Sequence, residues 1–259
     1  MQKSRLLSVV LWITLVFLVG PFFIIVVSSF SGDASMSFPP NGFSTEWYGK
    51  AFGIEMFRTT FMISLQTGLL ATLTALVLGI PVAYVIVRHR FSGKGWVELF
   101  FASPAIVPGL VIGFSLLRFF VYVTNIPVFA GLYLGHSAIL FPYTVRVVSA
   151  SLRNFDAGVE DAAVSLGSSR LHAFFSVVFP NIRSGLAAAF ILAFITSFNN
   201  VPISLFLTGP GVATLPIQML IYMEYYFDPT ISALSSIIIV LTVFIVQGAE
   251  KMLGITRYM

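Results

Sequence analysis

Few side chains in this 259-residue sequence are equipped for covalent chemistry. There is no cysteine, which removes disulfides, thiolate metal sites and cysteine nucleophiles. The three histidines, His89, His136 and His172, lie far apart, near the ends of apolar runs or in loops. Each reads as an interface residue rather than a metal ligand, and no metal site is expected. Gly135-His136-Ser137-Ala138-Ile139 approaches the G-x-S-x-G turn of a serine hydrolase, but Ile139 stands where the last glycine belongs. There is no G-x-x-x-x-G-K-[ST] phosphate cradle; Gly93-Lys94-Gly95 is a short loop. The chain is not read as an enzyme, and no cofactor is expected within it.

The elements around these residues are set by their solvent. Hydrophobic residues make up 58% of the chain, charged residues 9%, and mean hydropathy is +0.96. Soluble domains carry about 25% charge, so most of this surface faces lipid. A spanning helix needs about 20 mostly apolar residues. The sequence predicts six: Leu6 to Ser29, Thr59 to Val87, Trp96 to Leu117, Leu134 to Val148, Gly185 to Leu207 and Thr230 to Val246. The first is too long for a signal-peptide core and is expected to stay as an anchor. Gly79 and Pro81 are expected to bend the second. Pro104, Pro108, Gly109 and Gly113 are expected to kink the third. Residues 31–57 and 208–229 read as irregular outer loops, with Glu46, Trp47 and Tyr48 suited to the aromatic belt at the membrane surface. One all-α integral membrane domain, residues 1–259, accounts for the chain.

The placement of basic residues sets the orientation. With both termini in the cytoplasm, the inner segments hold Lys3, Arg5, Arg88, Arg90, Lys94, Arg153, Arg170, Arg183, Lys251 and Arg257. The outer ones hold Lys50, Arg58 and Arg118, while Arg146 is close enough to the inner surface to snorkel toward it. Positive charge accumulates inside, so the chain is expected in the cell membrane with both ends cytoplasmic. The net charge of +4 is spread singly over span ends, with no dense run for nucleic acid.

Between Arg153 and about Pro180 the apolar run stops. Asp156 through Ala163 begins like a helix, with Asp156 and Glu160 four apart and acidic residues where the helix dipole favours them. Ala162 and Ala163 are small enough for another surface to approach closely. Gly167 suits a helix-ending turn. A second helix from about Ser169 to Val178 would carry Leu171, Phe174, Phe175 and Val178 on one apolar side, and Pro180 suits a restart toward the fifth span.

Asp161-Ala162-Ala163, then Gly167, then Val177-Val178-Phe179-Pro180 resembles in spacing the E-A-A, three residues, Gly, nine residues, I-x-L-P loop of ATP-binding-cassette (ABC) importer permeases. Asp replaces Glu, Val replaces Ile and Phe replaces Leu. This loop, with Phe194 to Phe206 and Thr208-Gly209-Pro210-Gly211 leading to Pro216, is similar to the second permease of spermidine/putrescine-type importers. The likeness runs from about Pro81 to Leu253 and is densest from Glu160 to Pro216. It implies a type I importer fold in which Glu160, Asp161, Ala162, Ala163, Gly167 and Pro180 couple to the ATPase. It further implies a second permease, two ATPase subunits binding ATP and magnesium, and an extracytoplasmic substrate-binding protein.

Asn199 and Asn200 stand within the fifth predicted span, where carboxamides facing lipid are costly. They are either hydrogen-bond glue between helices or part of a substrate path, with Ser197 and Ser204 as weaker path candidates. Polyamine-carrying relatives tend to have acidic residues in this neighbourhood, which weakens the case for a polycation and gives weight to zwitterionic or neutral solutes. The resemblance implies a small organic solute that is polyamine-like, opine-like or a related amine or zwitterion. Ferric iron and phosphonates are alternatives within the same class. An ion-coupled carrier is the rival class, but such carriers bury a carboxylate at mid-membrane, and no predicted span centre holds one.

Overall fold

A computed structural model describes residues 2–103 and 106–253, with side chains for 7–101, 103, 106–123 and 125–248. Pro104 and Arg257 lie outside the described residues, as do the side chains of Lys3, Arg5 and Lys251. The described residues are helical with no strand, in the order α1 (Gln2–Ser28), α2 (Glu46–Gly53), α3 (Glu55–Arg88), α4 (Lys94–Ala102), α5 (Gly109–Phe119), α6 (Val128–Asn154), α7 (Ala157–Ser165), α8 (Arg170–Ala173), α9 (Phe179–Asn181), α10 (Arg183–Phe198), α11 (Val201–Leu207), α12 (Leu215–Tyr225) and α13 (Thr230–Leu253). π-helical turns at Phe120–Thr124 and Phe174–Val178 extend α5 and α8.

Four helical segments are long and apolar enough to cross a membrane alone: Leu7–Ser28, Glu55–Arg88, Val128–Asn154 and Thr230–Gly248. α3, at 34 residues, is roughly 50 Å long and runs unbroken through Pro81. The expected fourth span is longer than the sequence predicts, because Gly135, Ser137 and Pro142 dilute the hydropathy of a helix that is largely buried. The expected third span is instead two pieces, α4 and α5, with Pro108 capping α5 where a helical N–H would be needed. The fifth is broken as well, between α10 and α11.

The chain forms two compact units. The first comprises residues 1–59 and 218–245, the second residues 60–217 and 246–259. In the first, the most apolar stretch of α1 has no buried residue, as expected of a helix solvated by lipid. The segment after it is better ordered than the sequence suggests. Trp47 is 6% exposed and its indole N–H donates to the Ser31 carbonyl at 2.7 Å, so it fastens the loop rather than sitting in an aromatic belt. Lys50 Nζ lies 2.5 Å from Asp228 Oδ2, joining α2 to the turn before α13. The residues between 208 and 229 likewise contain a helix, α12, preceded by a tight turn with Gly211 at φ +74°.

The second unit is built on α3, α6 and α10. One core cluster joins Ala71 and Ala75 to Leu132, Leu140, Ala193, Ile203 and Leu207. A second joins Ala83 and Ile86 to Val148, Leu152, Val178, Ile182 and Leu186. Close approach is arranged with small residues: a Cβ on Gly185 would meet Ser151 Cβ at 2.6 Å, and one on Gly79 would meet Thr144 Oγ1 at 2.5 Å. Thr144 uses the closeness, donating to the Ala75 carbonyl of α3 at 2.9 Å.

Candidate functional site

The loop between α6 and α10 is assembled from local signals. Asp156 caps α7, its Oδ1 accepting from the Gly158 N–H at 2.9 Å. α7 ends in a two-bond left-handed turn. The Gly167 N–H donates to the Val164 carbonyl at 3.0 Å and the Ser168 N–H to the Ala163 carbonyl at 3.1 Å, with Gly167 at φ +97°. Ser169 then caps α8, accepting from the His172 N–H at 3.2 Å. The chain bends by 72° at Ile182 before α10 begins at Arg183, so the restart falls three residues after Pro180.

The candidate coupling residues do not share one environment. Asp161, Ala162, Gly167 and Pro180 are exposed and Ala163 is half-buried. Glu160 is 2% exposed and turned inward. It accepts a hydrogen bond from the Tyr84 hydroxyl, and its Oε2 lies 3.2 Å from Arg88 Nε, close in distance but out of line for a hydrogen bond. Arg88 also donates to the Phe155 carbonyl at 3.3 Å and covers the Phe155 ring at 5.5 Å. The shared face expected for Asp156 and Glu160 is therefore not formed, since Asp156 is spent on the cap and Glu160 on α3. Sequence reasoning missed Tyr84 and Arg88; the available signal was one arginine ending a long apolar helix and one carboxylate more than its helix cap needed.

The apolar side expected over residues 169–178 is split. Val178 is fully buried, whereas Leu171 and Phe175 are 71% and 61% exposed. The π-helical turn at Phe174–Val178 changes the register, so Leu171, Phe174, Phe175 and Phe179 line a cavity of about 570 Å³ with Val77, Ile80 and Pro81 of α3.

The substrate-path candidates separate too. α10 ends at Phe198, and Asn200 caps α11, its Oδ1 accepting from the Ile203 N–H at 3.0 Å. Pro202 sits in the first turn of α11, where no donor is needed. Asn199 is exposed at the break. Ser197 and Ser204 are 2% and 0% exposed and are bridged by His136, whose Nδ1 lies 2.7 Å from Ser197 Oγ and Nε2 3.0 Å from Ser204 Oγ. A neutral imidazole donates through one nitrogen and accepts through the other, so one ring joins α6 to both halves of the broken helix. Ser137 instead donates to the Tyr133 carbonyl, so His136 and Ser137 do not form a nucleophile and its base.

The arrangement holds no group of three or more histidine, cysteine or carboxylate side chains for a metal among the described residues. What it offers is mechanical: an exposed helix-turn-helix braced on three long helices. Residues 75–254 match the family of binding-protein-dependent transport system inner membrane components, and the chain belongs to that family. It is 30% identical over 238 residues to the putrescine transport system permease protein PotI of Escherichia coli K12, covering 89% of this chain and 84% of that one. It is 28% identical over 230 residues to the spermidine/putrescine transport system permease protein PotC of the same strain, covering 89% and 87%. In fold it is similar to a chain of a bacterial ABC transporter involved in import of the acidic polysaccharide alginate, with TM-score 0.73, 17% identity and coverage of 96% and 95%. A chain of the MetNI methionine ABC transporter gives TM-score 0.59 at 17% identity, covering 74% and 92%. The chain is thus an ABC-type permease of the multi-pass inner-membrane class, with the fold of type I importers.

Proposed function

We propose that this chain acts as one permease domain of an ATP-driven importer, pairing with a second permease to form the path and with two ATPase subunits through residues 156–180. The observation that carries the reading is the division of labour in α7. Asp161, Ala162 and the Gly167 turn face outward, small and unobstructed, while Glu160 and Val178 fasten the same loop to α3, α6 and α10. A loop so presented and so braced suits transmission of force from a partner.

In the topology we propose, six spans, two of them broken, place both termini in the cytoplasm. The Arg153–Glu98 pair at 3.2 Å and the Arg88–Glu160 pair hold Arg88 and Arg153 at the loop's end of the second unit, in keeping with a cytoplasmic face. Cysteines at Ser35 and Gly211 should react with an impermeant reagent from outside and one at Ser168 should not; labelling of all three from one side refutes the topology. The solute we propose is a small amine or zwitterion delivered by a binding protein, polyamine-like in size but less cationic. Support comes from the relatives' putrescine and spermidine specificities together with the uncharged Ser197, Asn199, Asn200 and Ser204. The test is purification of the complex from native membranes with an Ala162→Cys cross-link. A cross-linked partner that hydrolyses ATP is expected, and a complex without ATP hydrolysis refutes the reading.

A further inference from the structure

Glu160 is the most buried charged side chain in a loop whose neighbours are exposed, and burial of a carboxylate is unfavourable unless it is paired and hydrogen-bonded. Its partners both lie in the last turns of α3: the Tyr84 hydroxyl and Arg88, whose side chain is 11% exposed. Arg88 holds a second point of the same loop, the Phe155 carbonyl and ring, at the extended residue where α6 gives way to α7. One guanidinium therefore grips both the hinge and the first turn of α7. A helix held only by its chain ends could swing about Phe155 and Gly167; one held also at Glu160 cannot do so without parting a buried ion pair.

We propose that Tyr84, Arg88 and Glu160 form a strut that makes α7 and the end of α3 move as one body, so that displacement of the exposed coupling face is delivered to α3 as well as to α6 and α10. The proposal rests on the permease reading above and assigns Glu160 a positioning role rather than a contact with the ATPase. Glu160→Gln keeps the shape and the Tyr84 bond but removes the charge, whereas Arg88→Gln removes the opposite charge together with the hold on Phe155.

Because the natural chain has no cysteine, two spin labels can be placed cleanly at Ala162→Cys and Val85→Cys, both exposed. In the assembled complex in lipid, the label-to-label distance should be single and unchanged by ATP. In Glu160→Gln it should broaden, and the stimulation of ATP hydrolysis by the loaded binding protein should fall about tenfold. Cross-linking of Ala162→Cys to the ATPase should persist. The double variant should be no worse than Arg88→Gln alone, since the connection that Glu160→Gln removes is already lost there. The strut is overturned if the wild-type distance shifts with ATP, if Glu160→Gln retains full stimulation, or if the two substitutions multiply. The distance in the permease alone reads the strut even where no ATPase is recovered, so failure of the permease reading shows in the cross-link and failure of the strut in the distance.

Discussion

Gly167 allows a prediction whose magnitude comes from geometry alone. Its φ of +97° is a conformation that L side chains rarely adopt, yet a Cβ built there meets no heavy atom within 4 Å. Gly167→Ala therefore costs backbone strain without a clash, about 1–2 kcal/mol. That lowers the population of the correct turn by a factor of about 5–30. Because the turn sets the angle between α7 and α8, ATPase stimulation by the loaded binding protein should fall within the same range in proteoliposomes. Asn tolerates the left-handed region better than Ala, so Gly167→Asn should be less impaired although its side chain is larger. Gly167→Asp matches Asn in backbone tolerance and adds a charge, so its further loss, to near-complete uncoupling, isolates the electrostatic cost of docking. A ranking in which Asn is worse than Ala would show that bulk rather than conformation matters at this turn. Wild-type coupling in all three variants would refute the coupling assignment itself.

Three further outcomes are expected. Gly185→Ala places a Cβ 2.6 Å from Ser151 Cβ, which no rotamer relieves, so α6 and α10 must separate at a cost of about 1–3 kcal/mol, read as a lowered midpoint of thermal unfolding in detergent. Asn200→Leu removes the cap of α11 and should cost about 1 kcal/mol of stability, whereas exposed Asn199→Leu should leave stability unchanged and lower transport; equal behaviour of the pair refutes the division. The third concerns pH. Burial raises the Asp228 pKa, but hydrogen bonds from Lys50 and Thr230 outweigh it and leave the group below its ordinary 3.8, while the bond to Asp228 holds Lys50 above its ordinary 10.5. A lowered acid stabilises above its unfolded pKa and loses that as pH falls through the folded one; a raised base stabilises below its unfolded pKa and loses that as pH rises through the folded one. Unfolding midpoints should therefore be flat between about pH 4 and 10 and decline on either side, and Asp228→Asn should flatten the acid limb; because Lys50 is 45% exposed, the ion pair itself is worth under about 1 kcal/mol.

The coupling loop was legible because its parts are local. A cap at Asp156, alanines, a glycine needing positive φ and a proline near a restart can each be read within a few residues, and the structure builds the cap and the turn as their chemistry requires. What was not legible depended on residues distant in sequence. Nothing near Glu160 announces Tyr84 and Arg88, 76 and 72 positions earlier, and nothing near Trp47 announces the Ser31 carbonyl. The breaks at Pro108 and at residues 199–200 escaped a hydropathy window for a different reason. Hydropathy counts side chains, whereas a helix stops where a backbone donor is missing or a carboxamide captures the next turn, as Asn200 and Pro202 do together. The π-helical turn at Phe174–Val178 has no such marker, and it is what moves Leu171 and Phe175 outward.

The buried polar groups bear on how transport is energised. In the interiors of α3, α6, α10 and α11 they are neutral residue types: Ser64, Thr67, Thr72, Ser137, Thr144, Ser149, Ser197 and Ser204, with His136 among them. Among the described residues the two buried carboxylates, Glu160 and Asp228, stand outside the long apolar segments, one in the coupling loop and one in the turn before α13, and each is already committed to a cation. A carrier driven by a proton gradient needs a mid-membrane group that gains and loses a charge with each cycle. Among the described residues His136 is the only candidate by position, and both of its nitrogens are engaged in joining the two halves of a broken helix to α6. With its interior hydrogen bonds serving as joints and its charges gathered at helix ends, this chain is suited to being moved by another protein, and that favours an ATP-driven importer over a proton-coupled carrier.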